Sequence, residues 1–483
     1  LGMTTNQRAI LLLTDGLQNT PPLVEDVEAQ LGDTRLCVVG FGNEWNLDGA
    51  LLNRVARGHG GLYTRANDGL ALKKFFALCF GNIFAANMLT DPELRVPANE
   101  LYAPELSVDV CGESRLTAIV GWNAPGEDLD VSFVTPGAAT VAAGSPGVSS
   151  ERGRTWTFLR VPLPFGGERN GTWTLRVFRA IYGELADISN EIRYFVSVLA
   201  EGGPSFEPLL PARRLYTGDR LNPRVLLRYD DQTAPHADVE VTIQGPGISL
   251  GQLVTERGLV TPDPQGDLID PFRATLQQIA DDSGGEVELQ RTRLTAPLYD
   301  DGVHDDGAFE ADGVWGNPLD DVLRFEGAYD LHAIAAYDEG CAGRREVMWS
   351  LHVDPGIDSA TTDVRVVGAG PGTGTIRLTP RDRYGNPLGP GRGTSFDVAA
   401  QPGTQITGPI SDNGDGSYDV PVDWSPSTPG VPALIVSQPE RTPVVIVPPD
   451  AQRGPLAGCL TWILVALVIL ILVLVVLVIL LLW

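Results

Sequence analysis

The densest run of chemically active side chains lies between Asp300 and Asp321, where eight acidic residues occur without a single Lys or Arg. Asp300, Asp301, Asp305, Asp306 and Asp312 could converge on Ca²⁺, which takes roughly six to eight oxygen ligands at flexible geometry. An ion placed there would relieve the mutual repulsion of the carboxylates. The spacing does not fit an EF-hand loop. Asp-Gly pairs are equally the residues of tight hairpin turns, so a calcium role and a turn role both stand.

Other reactive residues are dispersed. The histidines, His59, His236, His304, His332 and His352, occur singly, and a lone His is more often a core or surface residue than a catalyst. No HExxH pair, nucleophile elbow or Walker loop is present. Gly368, Gly370, Gly372 and Gly374 superficially resemble a nucleotide loop. A strand pattern follows them rather than a helix, and no Lys is at hand, which excludes that use. Nothing in the chain predicts an enzyme. The five cysteines, Cys37, Cys79, Cys111, Cys341 and Cys459, are odd in number and widely spaced, without a CxxC or Cys/His zinc pattern. Buried free thiols are the expectation, with an isolated bridge such as Cys37–Cys79 or Cys111–Cys341 as the alternative.

Composition narrows the partners. The formal charge of the 483-residue chain is -26, and Lys73 and Lys74 are its only lysines. Such a chain is a poor match for a phosphate backbone, so nucleic acid is excluded. An apolar fraction of 43% sustains packed cores, and 55 Gly with 37 Pro favour many short turns.

The elements that position these residues change along the chain. Residues 1–90 alternate strand and helix: Ala9–Leu13 as a strand buried on both faces, a helical stretch Val24–Leu31, a strand from Leu36 to Gly42, a helix Asp48–Arg57, a short strand Gly61–Thr64, and a helix capped by Asp68 and running to about Phe84. This alternation predicts part of a doubly wound parallel sheet. From 91 to 203 the pattern is short strands between Gly/Pro turns, including Arg115–Trp122, Trp156–Val161, Thr172–Val177 and Arg193–Val198, as in a β-sandwich. Residues 204–360 hold further strands, a helical stretch Pro271–Asp281 and the acidic run; residues 361–448 read as an Ig-like domain. The fold class expected is multidomain: a partial α/β domain, then β-sandwich and Ig-like domains, then one transmembrane helix.

The final run, 456–483, carries no charge, with Trp462 and Trp483 near its ends. About 20 apolar residues cross a bilayer and Trp marks its interfaces, so a single-pass membrane protein is expected, most of its chain extracytoplasmic. The chain opens at Leu1 without a leader, so a leader is expected upstream.

Several motifs resemble known families. Ile10-Leu-Leu-Leu-Thr-Asp-Gly16, Val38-Val-Gly-Phe-Gly42 and Gly60-Gly-Leu-Tyr63 resemble the second half of a von Willebrand factor A domain. That resemblance implies a divalent cation at the C-terminal ends of the strands, with Asp15 as one ligand of a Mg²⁺ site completed by the first half of such a domain. Gly171-Thr-Trp-Thr-Leu175 is similar to the closing strand of bacterial pre-peptidase and P-type jelly-roll modules. The Leu298–Trp315 segment resembles surface-anchored "choice-of-anchor" modules. Asp382-Arg-Tyr-Gly-Asn386 with Asn413-Gly-Asp-Gly-Ser-Tyr418 resembles the filamin-type repeat, in which the carboxylates form turns and Tyr418 packs inward. Together these imply a membrane-anchored binding or adhesion protein that holds a protein or surface ligand above a β-domain stalk. The alternative is the C-terminal part of a metalloprotease similar to calcium-activated chloride channel regulators, with its catalytic domain upstream; a third is a mechanical spacer without metal.

Overall fold

The computed structural model describes residues 8–448 except 19–20, 85, 181–187, 212, 230–231, 234–236, 263–269, 284–290, 308–310, 339–340, 371 and 425–432. Thirty strands and five α-helices are found among them, so the architecture is β-rich and multi-sheeted. The chain divides into two units, Leu1–Ile248 with Glu288–Asp354, and Ser249–Val287 with Pro355–Trp483.

The first unit begins with three parallel strands, β1 (Ala9–Thr14), β2 (Arg35–Phe41) and β3 (Tyr63–Ala66), in the order β1-β2-β3. Between them run the short helix α1 (Val24–Val27) and helix α2 (Gly49–Gly58), and after β3 comes helix α3 (Gly69–Phe84). Asp48 caps α2 by accepting from Leu51 N at 3.0 Å. Asp68 caps α3, its Oδ1 accepting from Leu70 N at 2.9 Å and Ala71 N at 2.8 Å. Strand β2 is buried throughout its middle, as a parallel strand covered on both faces should be. Strand β1 is not. It is the edge of its sheet, and Ile10, Leu11 and Leu13 are 41%, 43% and 50% exposed. An apolar run predicts a strand but not what covers it; here Ala9 and Leu12 pack against neighbouring cores while Ile10, Leu11 and Leu13 stay open.

The expectation of a von Willebrand factor A domain is corrected. The α/β part is confined to three strands whose order follows the chain without reversal. A doubly wound sheet binds its ligand at the switch point where strand order reverses, and the described residues contain none.

The rest of the first unit is sandwich-like. Strands Ser149–Arg152, Trp156–Pro162, Arg115–Trp122 and Ile192–Glu201 pair in that order and face the sheet Leu106–Val110, Gly171–Arg179, Leu129–Val134 and Thr140–Val141. Leu116, Ala118, Val120 and Trp122 alternate inward and meet Trp173, Phe133 and Tyr194 in one core. The two central tryptophans are satisfied: Trp122 Nε1 donates to Glu127 O at 2.7 Å and Trp173 Nε1 to Arg169 O at 2.9 Å. The large sheet then continues through Asn87–Thr90 into Ala342–Asp354, Gly327–Asp338, Ala237–Pro246 and Arg291–Leu298. Met88 is the joint, opposite Leu199 on one side and Glu346 on the other. A second core lies under this half, where Tyr329, Leu331, Trp349 and Leu351 pack with Val225, Leu227 and Trp315.

A disulfide joins Cys111 to Cys341, with Cα atoms 5.8 Å apart. Of the two arrangements weighed from sequence, the bridge is therefore the one adopted by this pair, while Cys37 and Cys79 are buried free thiols. The Cys79 thiol hydrogen-bonds Cys37 and draws its pKa down to about 7 against the effect of burial.

In the second unit, strands Asp363–Gly370, Thr373–Thr379, Tyr418–Trp424 and Thr404–Ile406 form one sheet, and Asp397–Ala400, Leu434–Ser437 and Val444–Ile446 another. Ile376, Leu378, Phe396, Tyr418 and Leu434 fill the core between them. The Asp382 carboxylate accepts from Tyr384 N and Asn386 N, both at 2.9 Å, and Asp415 accepts from Ser417 N at 2.9 Å. Both are turn formers, as their spacing predicts. Helices Leu250–Arg257 and Pro271–Asp282, capped by Ser249 and Asp270, belong to this unit. Gly389 and Gly391, both at positive φ, let the chain pass against them: a Cβ on Gly389 would lie 2.9 Å from Gly251 Cα, and one on Gly391 3.0 Å from Phe272 Cβ.

The single-pass membrane expectation is also corrected. Among the described residues no helix is long and apolar enough to cross a membrane. The 456–483 run on which that expectation rested lies outside the described residues.

Candidate functional site

Helix α3 is apolar on nearly every side because it is a wall shared by different packing environments. Phe75, Cys79 and Ile83 enter the core that includes β2, while Leu70 and Ala77 meet Phe195 on the outer face of the large sheet. Lys73, Phe76, Ala77 and Phe80, at helical spacings of three and four, line a groove of about 510 Å³.

The opposite wall is the face of the sheet that the sandwich core does not use. Trp156, Phe158 and Arg160 alternate with the inward Thr157, Leu159 and Val161. The register sets Trp156 opposite Gly121 and Phe158 opposite Ile119, and Gly121 is in turn opposite Phe195. A Cβ on Gly121 would lie 2.3 Å from Phe195 Cε1, so the glycine is what lets that ring fold across the sheet. The Trp156 and Phe158 rings are parallel, 1° between planes with centroids 6.4 Å apart. Phe76 is 40% exposed and Trp156 37%, large apolar faces left open to solvent.

The groove contains two cations and no carboxylate. Arg160 is held by Glu201 at 2.5 Å. Lys73 Nζ donates to Trp122 O at 2.8 Å and has no ion pair among the described residues; burial pulls its pKa down, with Asp68 opposing. Lys74, the next residue, points elsewhere. Its ammonium lies 3.1 Å from Asp91 Oδ2 and 3.5 Å from Glu93 Oε1. Asp91 also accepts from Ser197 Oγ. Burial pushes the Asp91 pKa up to about 6 despite Lys74 and Ser197.

The sequence-predicted residues lie apart from this groove. Asp15 is exposed at the end of β1, and no described residue pairs with it. The Mg²⁺ ligand role expected of Asp15 rested on the A-domain resemblance, which is corrected above. Along the acidic run, backbone N–H groups donate to Asp300, Asp301, Asp306 and Asp312. Asp300 accepts from Asp312 N at 3.0 Å and Gly313 N at 2.9 Å, and Asp306, fully buried, from Asp301 N at 2.8 Å and Gly302 N at 2.6 Å. Asp301 accepts from Val303 N at 2.9 Å and lies 2.9 Å from His304 Nδ1; Asp312 accepts from Val314 N at 2.9 Å. Asp305 takes a positive φ and its Oδ2 accepts from Asn222 Nδ2 at 3.0 Å. Burial raises the Asp300 pKa, with Asp312 and Asp306 adding repulsion against the two backbone hydrogen bonds. Among the described residues no three His, Cys, Asp or Glu side chains converge on a point that would hold a metal.

Sequence reading named the elements of the groove without seeing that they meet. The available signal was Trp156-Thr-Phe-Leu-Arg-Val161, which is apolar at both alternating phases and so describes a strand covered on both faces.

No family model matches the chain, and no curated protein matches it. The resemblances to von Willebrand factor A, choice-of-anchor and filamin-type families are therefore corrected to the β-sandwich architecture alone. Among solved structures, a DUF4785-family protein of Legionella pneumophila is similar at 11% identity over 73% of this chain and 79% of that one, with a TM-score of 0.32. A Parabacteroides merdae β-glucuronidase is similar at 9% identity over 50% of this chain and 24% of its own (TM-score 0.15). The α-2-macroglobulin of Escherichia coli is similar at 12% identity over 74% and 23% (TM-score 0.16). Scores this low establish neither a shared fold nor a shared activity.

Proposed function

We propose that this chain is a binding protein whose α3 groove holds an unbranched apolar chain ending in an anionic head group. The observation that carries this reading is the lining. Phe76, Phe80, Ile119, Trp156, Phe158 and Phe195 offer apolar surface, and Lys73 offers a cation without a carboxylate partner, in a protein of charge -26. A mostly apolar concavity with a few placed polar groups is the general form of a small-molecule site, and about 510 Å³ falls in the usual range. The Cys111–Cys341 bridge supports work in an oxidising environment. The protease alternative loses its basis, since it rested on the A domain and the membrane span.

The test is titration with dodecanoate, followed by tryptophan fluorescence. Dodecanoate should bind, hexanoate should bind weakly, and dodecyltrimethylammonium should bind worse than dodecanoate. Lys73→Met should weaken dodecanoate at least tenfold, about 1.4 kcal/mol, and leave the apolar contribution intact. Equal binding of the anionic and cationic amphiphiles, or no response to Lys73→Met, would overturn the reading.

A further inference from the structure

On the other side of α3 lies a second cavity of about 410 Å³, walled by β3 and α3 and by the sheet strands Ala237–Pro246, Arg291–Leu298, Gly327–Asp338 and Ala342–Asp354. Its character is opposite to that of the groove. Four basic side chains line it, Arg65, Lys74, Arg293 and His332, against two carboxylates, Glu93 and Asp330.

The pairing within this set is uneven. Asp330 is taken by Arg291 at 2.7 Å and by Ser350 Oγ at 2.8 Å. Glu93 faces Lys74, which also reaches Asp91 beneath it. His332 Nε2 is 3.0 Å from Glu346. Both lining carboxylates are thus already committed to protein partners. Arg65 and Arg293 are not: neither makes an ion pair or a side-chain hydrogen bond among the described residues. Each guanidinium presents a planar fork of donors suited to the paired oxygens of a carboxylate or phosphate. Both guanidiniums line the same cavity.

We propose that this cavity binds a small organic dianion through Arg65 and Arg293. The anionic oxygens occupy the two forks, while Trp349, Leu331 and Phe75 supply apolar wall for the carbon skeleton. Thr242 and Gln244 add polar groups within the same lining. The cavity suits a compact molecule rather than a polymer, and the charge demanded is negative at more than one point. Phosphate monoesters and dicarboxylates share this chemistry.

The experiment is isothermal titration of the full chain with phenyl phosphate, phthalate, inorganic phosphate and, as the cationic control, benzylammonium. Phenyl phosphate or phthalate should bind, benzylammonium should not, and affinity should fall as salt is raised. Arg293→Gln, at an exposed position, should weaken binding at least tenfold with no change in melting temperature, and Arg65→Gln should do the same. If Arg65→Gln is misfolded, Arg293→Gln alone decides. Binding by phenyl phosphate but not phthalate identifies the phosphate class, and the reverse identifies dicarboxylates. Inorganic phosphate binding as tightly as both would overturn the organic ligand. Absence of binding by every anion at millimolar concentration, or full binding by the Arg293→Gln variant, would overturn the site. Lys73→Met should leave these titrations unchanged, which separates failure here from failure of the α3 groove.

Discussion

Glu113→Gln tests the most enclosed charge pair among the described residues. Glu113 and Arg345 are both 0% exposed. The Arg345 guanidinium is bonded to Glu113 Oε1, while its Nε donates to Pro204 O at 2.9 Å and its Nη1 to Arg344 O at 2.8 Å. The second oxygen, Glu113 Oε2, accepts from Cys111 N, next to the disulfide. A glutamine offers one acceptor where both donors now need one, and its amide N–H₂ would face either the guanidinium or the Cys111 N–H. The guanidinium would also keep its burial and lose its carboxylate. Breaking a buried pair in this way costs about 3–5 kcal/mol, whereas exchanging both partners for apolar groups of similar volume is often neutral or better. Urea unfolding, with the disulfide intact, should therefore place Glu113→Gln about 3–5 kcal/mol below the parent. The double variant Glu113→Leu with Arg345→Met should lie nearer the parent than Glu113→Gln does. A Glu113→Gln loss under about 1 kcal/mol, the value of an exposed pair, would refute the reasoning, as would a double variant less stable than Glu113→Gln.

Asp91→Asn should change how stability depends on pH. Because burial raises the folded Asp91 pKa to about 6 from 3.8, the folded parent binds the extra proton between those values. Its stability relative to Asp91→Asn should rise as pH falls from about 6 toward 4 and be level above pH 7, as read by urea midpoints. Gly121→Val should force the Phe195 ring out of place, costing about 1–3 kcal/mol and abolishing dodecanoate binding in the fluorescence titration. Tyr418→Phe removes a buried hydroxyl that donates to Gly389 O at 2.6 Å and accepts from Arg392 N at 3.0 Å; a loss of about 1–3 kcal/mol in thermal or urea unfolding is expected. Millimolar Ca²⁺ should leave the melting temperature unchanged, since Asp300, Asp301, Asp306 and Asp312 already accept backbone hydrogen bonds. A rise that is lost in the Asp305→Asn, Asp306→Asn variant would instead assign the ion to this loop.

Local signals were legible where the chemistry is local. The alternation in Arg115–Trp122 marks a strand with those bounds, and Asp68 before a helical pattern marks the cap of α3. The Asp-Gly turns are likewise short-range events. What stayed hidden depends on distant segments. The helix that faces Trp156 and Phe158 across the groove lies more than seventy residues earlier, and the disulfide spans 230 residues, a separation for which spacing offers no rule. Strand β1 failed in the opposite way. Its run of Leu and Ile is as apolar as a central strand, but its place at the sheet edge is set by order, which composition does not encode.

The joint at Met88 governs how the first unit can be cut. Gly202–Gly203, a glycine pair at positive φ just after strand Ile192–Glu201, has the look of a hinge between separable pieces. Severing the chain there and isolating the pieces would strip Asn87–Thr90 of Ala342–Asp354 in one piece, and Ala342–Asp354 of Asn87–Thr90 in the other, because these two strands pair across the cut. The exposed backbone donors and acceptors would form a fresh edge, open to pairing with other copies. Fragments defined by this glycine pair would therefore self-associate, and protease nicking at the same point would leave both pieces bound together through the sheet and the Cys111–Cys341 bridge.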